Sequence, residues 1–192
     1  SNTTGKCNVG VGFFSLVANT TGSINTAVGF KALASATTVS GSTAYGACAL
    51  MCSTSGTGNT ALGHCTLTCN TTGSENTAIA FRALKCNTTG VTNVAISYES
   101  MCANTTGDCN VGVGFRALKA NTTASCNVAI GQSALENNTT GCRNTAVGIK
   151  AGTDNTTGNE NAFFGRLAGC ENTTGSNNTG IGSSSFNSNT TG

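Results

Sequence analysis

The tripeptide Asn-Thr-Thr returns in this chain at a strict interval of 17 residues, at Asn2, Asn19, Asn70, Asn87, Asn104, Asn121, Asn138, Asn155, Asn172 and Asn189. The frame runs without insertion or deletion. Eleven full units start at Asn2, Asn19, Ala36, Ser53, Asn70, Asn87, Asn104, Asn121, Asn138, Asn155 and Asn172, and a partial unit covers 189–192. A chain made of one short repeat builds one supersecondary unit many times, and each copy buries its apolar face mainly against its neighbours. Residues 1–192 are therefore expected to be a single repeat domain.

Positions within the unit are numbered here as columns one to seventeen, starting at the Asn of Asn-Thr-Thr. Column ten is apolar in every unit: Val11, Val28, Tyr45, Leu62, Ile79, Ile96, Val113, Ile130, Val147, Phe164 and Ile181. That constancy predicts core. Column nine is mostly Ala, and column eleven is Gly except for Ala80 and Ser97. Column fifteen is Leu or Met up to Leu135, then Gly152, Gly169 and Phe186. All sixteen charged residues fall in columns five, six, twelve, thirteen, sixteen and seventeen. Those columns are expected to face water.

Columns eight to twelve, as in Thr26-Ala27-Val28-Gly29-Phe30, alternate and are β-rich. They predict a short strand with Thr/Val, Val/Ile and Phe on one side and Ala and Gly on the other, where a second backbone can approach. Asn-Thr-Thr-Gly and the column-seven Asn read as corners, because Asn and Gly accept positive φ and Asn bonds nearby backbone. Columns thirteen to fifteen read as a second short strand or a tight turn. A 17-residue unit has no room for a helix, a strand and two corners. The expected fold is all-β, a parallel β-solenoid or β-roll of eleven 17-residue rungs. At about 4.8 Å per rung it is about 50 Å long.

Each rung offers only a few modest apolar side chains against the entropy of ordering the whole unit. A homo-oligomer, a trimer above all, is expected to make up the difference by packing the Ala/Gly and Val/Ile faces of several chains together. Ala36 to Cys52, with Val39 where Gly is usual, and the drift at Gly152, Gly169 and Ser183 to Phe186 mark places where the coil is expected to bend or change width.

The net charge of +2 is too small to attract nucleic acid or an anionic membrane. No apolar run approaches the length of a membrane-spanning helix, so no membrane insertion is expected. The chain opens on Ser1 rather than Met, which reads as a processed protein or a segment of a longer one.

The segment Asn-Thr-Ala-Val-Gly-Phe-Lys-Ala-Leu (Asn25 to Leu33), with the recurring Asn-Thr-Thr-Gly, resembles the repeat tracts of bacterial and viral proteins that carry a tail-fibre domain. Asn-Val-Ala-Ile-Gly (Asn127 to Gly131) more distantly resembles the YadA-like head repeats of trimeric autotransporter adhesins. The likeness covers essentially the whole chain. It implies a left-handed parallel β-roll, three chains intertwined or side by side, and display outside a cell or virion as a shaft or adhesin.

The eleven cysteines all lie in columns five, six, thirteen, sixteen or seventeen. Scattered cysteines without Cys-x-x-Cys pairs favour disulfides and an oxidising, extracellular setting. Cys48 with Cys65, Cys52 with Cys69 and Cys86, and Cys109 with Cys126 share columns in consecutive units; Cys86 with Cys102 and Cys126 with Cys142 are nearly aligned. Cα atoms one rung apart fall within disulfide range, which predicts inter-rung staples. Cys7 and Cys170 lack such a neighbour and are candidates for interchain links. A zinc site from Cys48, Cys52, Cys65 and Cys69 beside His64 is the sharper alternative.

His64, the only histidine, stands where other units have Phe, Tyr, Ala or Gln, and reads as a surface substitution. The ten Asn-Thr-Thr sites (Asn2, Asn19, Asn70, Asn87, Asn104, Asn121, Asn138, Asn155, Asn172 and Asn189) are also N-glycosylation sequons. The simpler reading is a corner with Asn and Thr ladders between rungs. Stacked Thr3/Thr4 equivalents are the basis for an ice-binding alternative. Gly112-Val113-Gly114 belongs to the repeat and is not a dinucleotide fingerprint. No paired carboxylates, nucleophile–base pair or phosphate loop stands outside the repeat, so neither an enzyme nor a bound cofactor or metal is expected. The expected function is structural: the shaft of an extracellular or virion-surface fibre or filament, stapled by disulfides, with itself as partner. The alternative is an adhesin that contacts a host glycan or protein receptor.

Overall fold

The structure is a computed structural model and describes residues 2–191; Ser1 and Gly192, the outer limits of the expected domain and of its partial last unit, lie outside the described residues. Among the described residues there are eleven strands and no helix. They are β1 (Val9–Val11), β2 (Thr26–Val28), β3 (Thr43–Tyr45), β4 (Thr60–Leu62), β5 (Thr77–Ile79), β6 (Val94–Ile96), β7 (Val111–Val113), β8 (Val128–Ile130), β9 (Thr145–Val147), β10 (Ala162–Phe164) and β11 (Thr179–Ile181). All pair in parallel in chain order, each residue opposite the one 17 positions on, as in Thr77↔Val94 and Ala78↔Ala95. The chain is a parallel β-solenoid with one rung per unit.

Only columns eight to ten form a strand. Columns eleven to sixteen make two overlapping turns. In one rung the Ala83 N–H donates to Ala80 O at 3.3 Å and Lys85 N–H donates to Arg82 O at 3.3 Å. The third residue of each turn is left-handed: Arg82 has φ 57° and Leu84 φ 49°. This is a type II arrangement, which normally calls for Gly. A left-handed non-Gly residue costs about 1 kcal/mol. Burying the Leu84 side chain completely returns about 2 kcal/mol, so burial wins. Columns thirteen to fifteen are thus a turn, not a second strand.

The interior differs from the expectation in one decisive respect. Column ten is not core: Val11, Tyr45, Ile130 and Ile181 are exposed, Tyr45 by 60%. The fully buried columns are nine (Ala27, Ala44, Ala61, Ala78, Ala95), fourteen (Ala32, Ala49, Ala83) and fifteen (Leu33, Leu50, Leu67, Leu84). A single 17-residue coil encloses little volume. The Leu column fills it, and the strand side facing inwards has room only for Ala or Gly. The backbone that approaches the small residues is therefore the chain's own. A Cβ on Gly29, where φ is +133°, would lie 2.7 Å from the carbonyl of Gly46 in the next rung.

Two Asn ladders complete the interior. Along column seven, Asn93 Nδ2 donates to Asn76 Oδ1 at 3.1 Å and to Gly107 O at 2.8 Å, while Asn93 Oδ1 accepts from the N–H of Asn110 at 2.9 Å. Along column one, Asn87 Nδ2 donates to Asn70 Oδ1 at 2.8 Å and to Gly90 O at 2.9 Å, closing its own corner. The column-two Thr hydroxyls donate to the carbonyl of the next rung's Thr, as Thr88 Oγ1 does to Thr105 O at 3.0 Å. The corner ladders expected from the sequence are present.

The atypical units keep the register. Phe163 replaces Ala in column nine and is fully buried, and Gly152 and Gly169 replace Leu in the rungs it touches. Strands β9, β10 and β11 stay paired in step. The drift is an exchange of volume between columns. In the unit at Ala36, Val39 is buried where Gly is usual, and Ala36 removes the Asn amide that crowds that position elsewhere.

Candidate functional site

The outer surface has three distinct sectors, each set by the columns it carries. The first is the sheet face. Columns eight and ten point outwards and carry no charge in any of the eleven rungs. Thr or Val, with Ala162 in one rung, alternates with Val, Ile, Leu, Tyr or Phe along the full stack, and much of this ridge meets solvent. Solvated sheet faces normally interpose polar and charged side chains, and long apolar edges and faces are protected.

The second sector lies on the first turn, in columns twelve and thirteen. His64, Phe81, Tyr98 and Phe115 stack face to face at centroid distances of 5.6, 5.3 and 5.5 Å. Ring spacing follows the rung spacing, so one aromatic per rung in one column produces a continuous stack. Arg82 and Arg116 sit over Phe81 and Phe115 at 4.9 and 5.0 Å. Between them Glu99 is nearly buried, held by Arg116 Nε at 3.4 Å, Arg82 at 3.7 Å and Lys119 at 3.9 Å. This cluster spans the rungs from Ser53 to Ala120. The sequence reading placed His64 correctly on an exposed face but did not assemble the cluster. The signal was present in the identity of column twelve over four consecutive units. His64 Nε2 also lies 3.6 Å from Cys65 Sγ, the adjacent residue.

The third sector comprises columns five, six, sixteen and seventeen and carries nine of the cysteines; Cys48 and Cys65 stand in column thirteen beside it. All eleven are free. The staples expected among Cys48, Cys52, Cys65, Cys69, Cys86, Cys102, Cys109, Cys126 and Cys142 are not seen. In-register parallel stacking explains it. Cβ atoms one rung apart stay near the rung spacing of about 4.8 Å, whereas a disulfide needs about 3.8 Å. Several thiols are engaged otherwise: Cys109 Sγ is 3.1 Å from Thr92 Oγ1, Cys142 Sγ accepts from the Ser125 N–H at 3.4 Å, and Cys170 Sγ donates to Asn187 Oδ1 at 2.6 Å. Cys7 is exposed on the first rung. Burial pushes the thiols of Cys48, Cys69, Cys102 and Cys170 above their ordinary value, with the charge of neighbouring Cys65, of Cys86 (at both Cys69 and Cys102) and of Glu171 adding to it, respectively. Among the described residues no group of three or more His, Cys, Asp or Glu side chains is placed to hold a metal ion. The four-thiolate zinc alternative at Cys48, Cys52, Cys65 and Cys69 is therefore not assembled.

The sequon asparagines divide by burial. Asn19, Asn70, Asn87, Asn104, Asn121, Asn138, Asn155 and Asn172 are buried. From Asn87 to Asn172 both Nδ2 hydrogens are used, as in Asn104 Nδ2 to Asn87 Oδ1 at 2.8 Å and to Gly107 O at 3.0 Å. A glycan at such an amide would have to displace the ladder. Asn2 is exposed and Asn189 half-buried at the two ends. The sequence also holds Asn137-Asn138-Thr139 and Asn177-Asn178-Thr179, sequons in a shifted frame, and their Asn137 and Asn177 are exposed. The Asn-x-Thr pattern alone would have found them. The Thr rows offer a poor ice template, because the column-two hydroxyls donate to carbonyls and only column three stays fully outward.

No helix among the described residues is long and apolar enough to cross a membrane. No protein-family model, no curated protein and no solved structure matches this chain.

Proposed function

We propose that this chain is a structural repeat protein, the shaft of an extracellular or virion-surface fibre or filament built from several copies. The observation that carries the reading is the outward ridge of columns eight and ten, uncharged over eleven rungs. At about 10 Å across and about 50 Å long, the face covers on the order of 500 Å². Two such faces brought together bury about 1,000 Å² in all, the lower bound for a specific interface. A second copy presents the same rung spacing, so contacts made once repeat along the stack.

Rigidity in this reading comes from the Asn and Thr ladders rather than from disulfides. Three copies, and display outside a cell or virion, rest on the resemblance to tail-fibre and autotransporter repeats. A non-enzymatic role fits a surface in which every unusual side chain belongs to a repeating column.

A second reading is favoured by one observation. The aromatic stack with its Glu99-centred ion cluster is local rather than uniform, which suits an adhesin whose outer columns contact a host glycan or protein.

The test is electron microscopy and light scattering of the native protein beside Ile96→Lys. Elongated particles of several chains, reduced to folded monomers by the lysine, are expected. A native protein that stays monomeric at high concentration sinks the shaft reading.

A further inference from the structure

Six of the eleven cysteines share one flank of four consecutive rungs: Cys48 and Cys65 form one stacked pair, and Cys52, Cys69, Cys86 and Cys102 form a run of four that divides into two pairs when every thiol is used. Cys48 and Cys65 occupy column thirteen of adjacent units, Cys52 and Cys69 column seventeen, and Cys86 and Cys102 columns seventeen and sixteen. Backbone hydrogen bonds lock each pair in step. Cys65 N–H donates to Ala47 O at 3.0 Å, beside Cys48. Cys52 N–H donates to Thr68 O at 3.0 Å, beside Cys69. Cys86 N–H donates directly to Cys102 O at 3.1 Å.

The spacing that is too wide for a disulfide suits a different bridge. Two metal–sulfur bonds of roughly 2.3 Å placed in line span about one rung. Tetrahedral zinc would need four ligands, and no group of three or more is placed for it. Soft thiolates select soft cations. We propose that the pairs Cys48/Cys65, Cys52/Cys69 and Cys86/Cys102 are two-coordinate sites for a soft, closed-shell monovalent cation, Cu(I) or Ag(I).

Binding breaks two S–H bonds and forms two S–metal bonds. Two protons leave to solvent and no electron is transferred. Each bis-thiolate site carries one net negative charge. Lys31 acts electrostatically on Cys48, and Lys85 on both Cys69 and Cys102. One lysine therefore favours the first pair and a second is shared by the other two, where Glu99 opposes it at Cys102. The inference is independent of the shaft reading, since it uses the flank of a single chain.

The probe is Ag(I), which needs no reductant to hold its oxidation state. The reduced, folded chain carries Ser at Cys7, Cys109, Cys126, Cys142 and Cys170, leaving the six thiols. Native mass spectrometry and proton-release titration are expected to give three ions per chain and two protons per ion. Affinity is expected to be at least tenfold above that of the same chain in urea. Adding Cys48→Ser with Cys65→Ser is expected to lower the count to two. No uptake, six ions per chain, equal affinity in urea, or an unchanged count in that double variant overturns the proposal.

Discussion

Phe163 and Gly169 share one volume in the core: a Cβ on Gly169 would collide with the Phe163 ring, and one on Gly152 in the rung before would come within 3.0 Å of it. Column fifteen carries Leu in most rungs, so the missing Leu side chains are replaced by one Phe entering from column nine. Gly169→Leu is expected to destabilise by about 1–3 kcal/mol through overpacking, and Phe163→Ala by about 3–5 kcal/mol through the cavity. The double variant should cost clearly less than the sum, because Leu refills the emptied volume. Urea unfolding of the four proteins checks this, and strict additivity would refute the shared volume.

Asn93 is held on both sides by its column. Asn93→Ala leaves the Asn110 N–H without its acceptor inside the coil and removes one of the two donors to the Gly107 carbonyl, which keeps Asn104 Nδ2; it is expected to cost about 2–3 kcal/mol. Asn93→Ser should cost less. Ser42 already stands in this column, donating its N–H to Asn25 Oδ1 at 3.0 Å and accepting from the Asn59 N–H at 3.1 Å. Equal losses for the two variants would count against the ladder as a stabilising element.

Ala80 and Ser97 interrupt the glycine column at φ 90° and 111°. Both sit in a region that favours Gly, so Ala80→Gly and Ser97→Gly are each expected to stabilise the fold by about 1 kcal/mol. The greater freedom of Gly in the unfolded chain works against this and sets the upper bound. Thermal melts at one protein concentration report the sign.

The buried thiols make stability fall in alkali. Below the ordinary thiol value of 9.0 the folded and unfolded chains both keep Cys48, Cys69 and Cys102 protonated, and their contribution is fully present. As pH rises past that value the unfolded chain ionises first. It then binds fewer protons than the folded chain, and stability drops until the folded thiols ionise too. Denaturation midpoints from pH 8 upwards are expected to decline, and Cys102→Ser should flatten part of the decline. An unchanged slope in that variant would remove Cys102 from the account.

Much of this fold is legible in the sequence because a strict period leaves few alternatives. The strand at columns eight to ten, the corners at Asn-Thr-Thr and the placing of every charged column outside follow from residue type and spacing. The assignment of column ten to the core fails for a geometric reason. Val28 and Ala27 alternate across one strand, and alternation alone does not say which side is inside. Ordinary reasoning puts Val inside. The narrow coil reverses it, because Leu33 and the Asn25 amide already fill the interior. The disulfide expectation fails at the next level of detail: Cys48 and Cys65 are neighbours as predicted, but parallel stacking holds their Cβ atoms a full rung apart.

The sequence by itself determined the repeat length, the number of rungs, the strand position and the uncharged columns. Those are one-dimensional properties, carried by residue type at a fixed interval. Only the tertiary structure decided which uncharged column is buried, that Phe163 stands in for two Leu side chains, and that His64, Phe81, Tyr98 and Phe115 form one stack. Each of these depends on the radius of the coil and the distance between rungs. Those lengths arise when the whole chain closes on itself, and no single unit contains them.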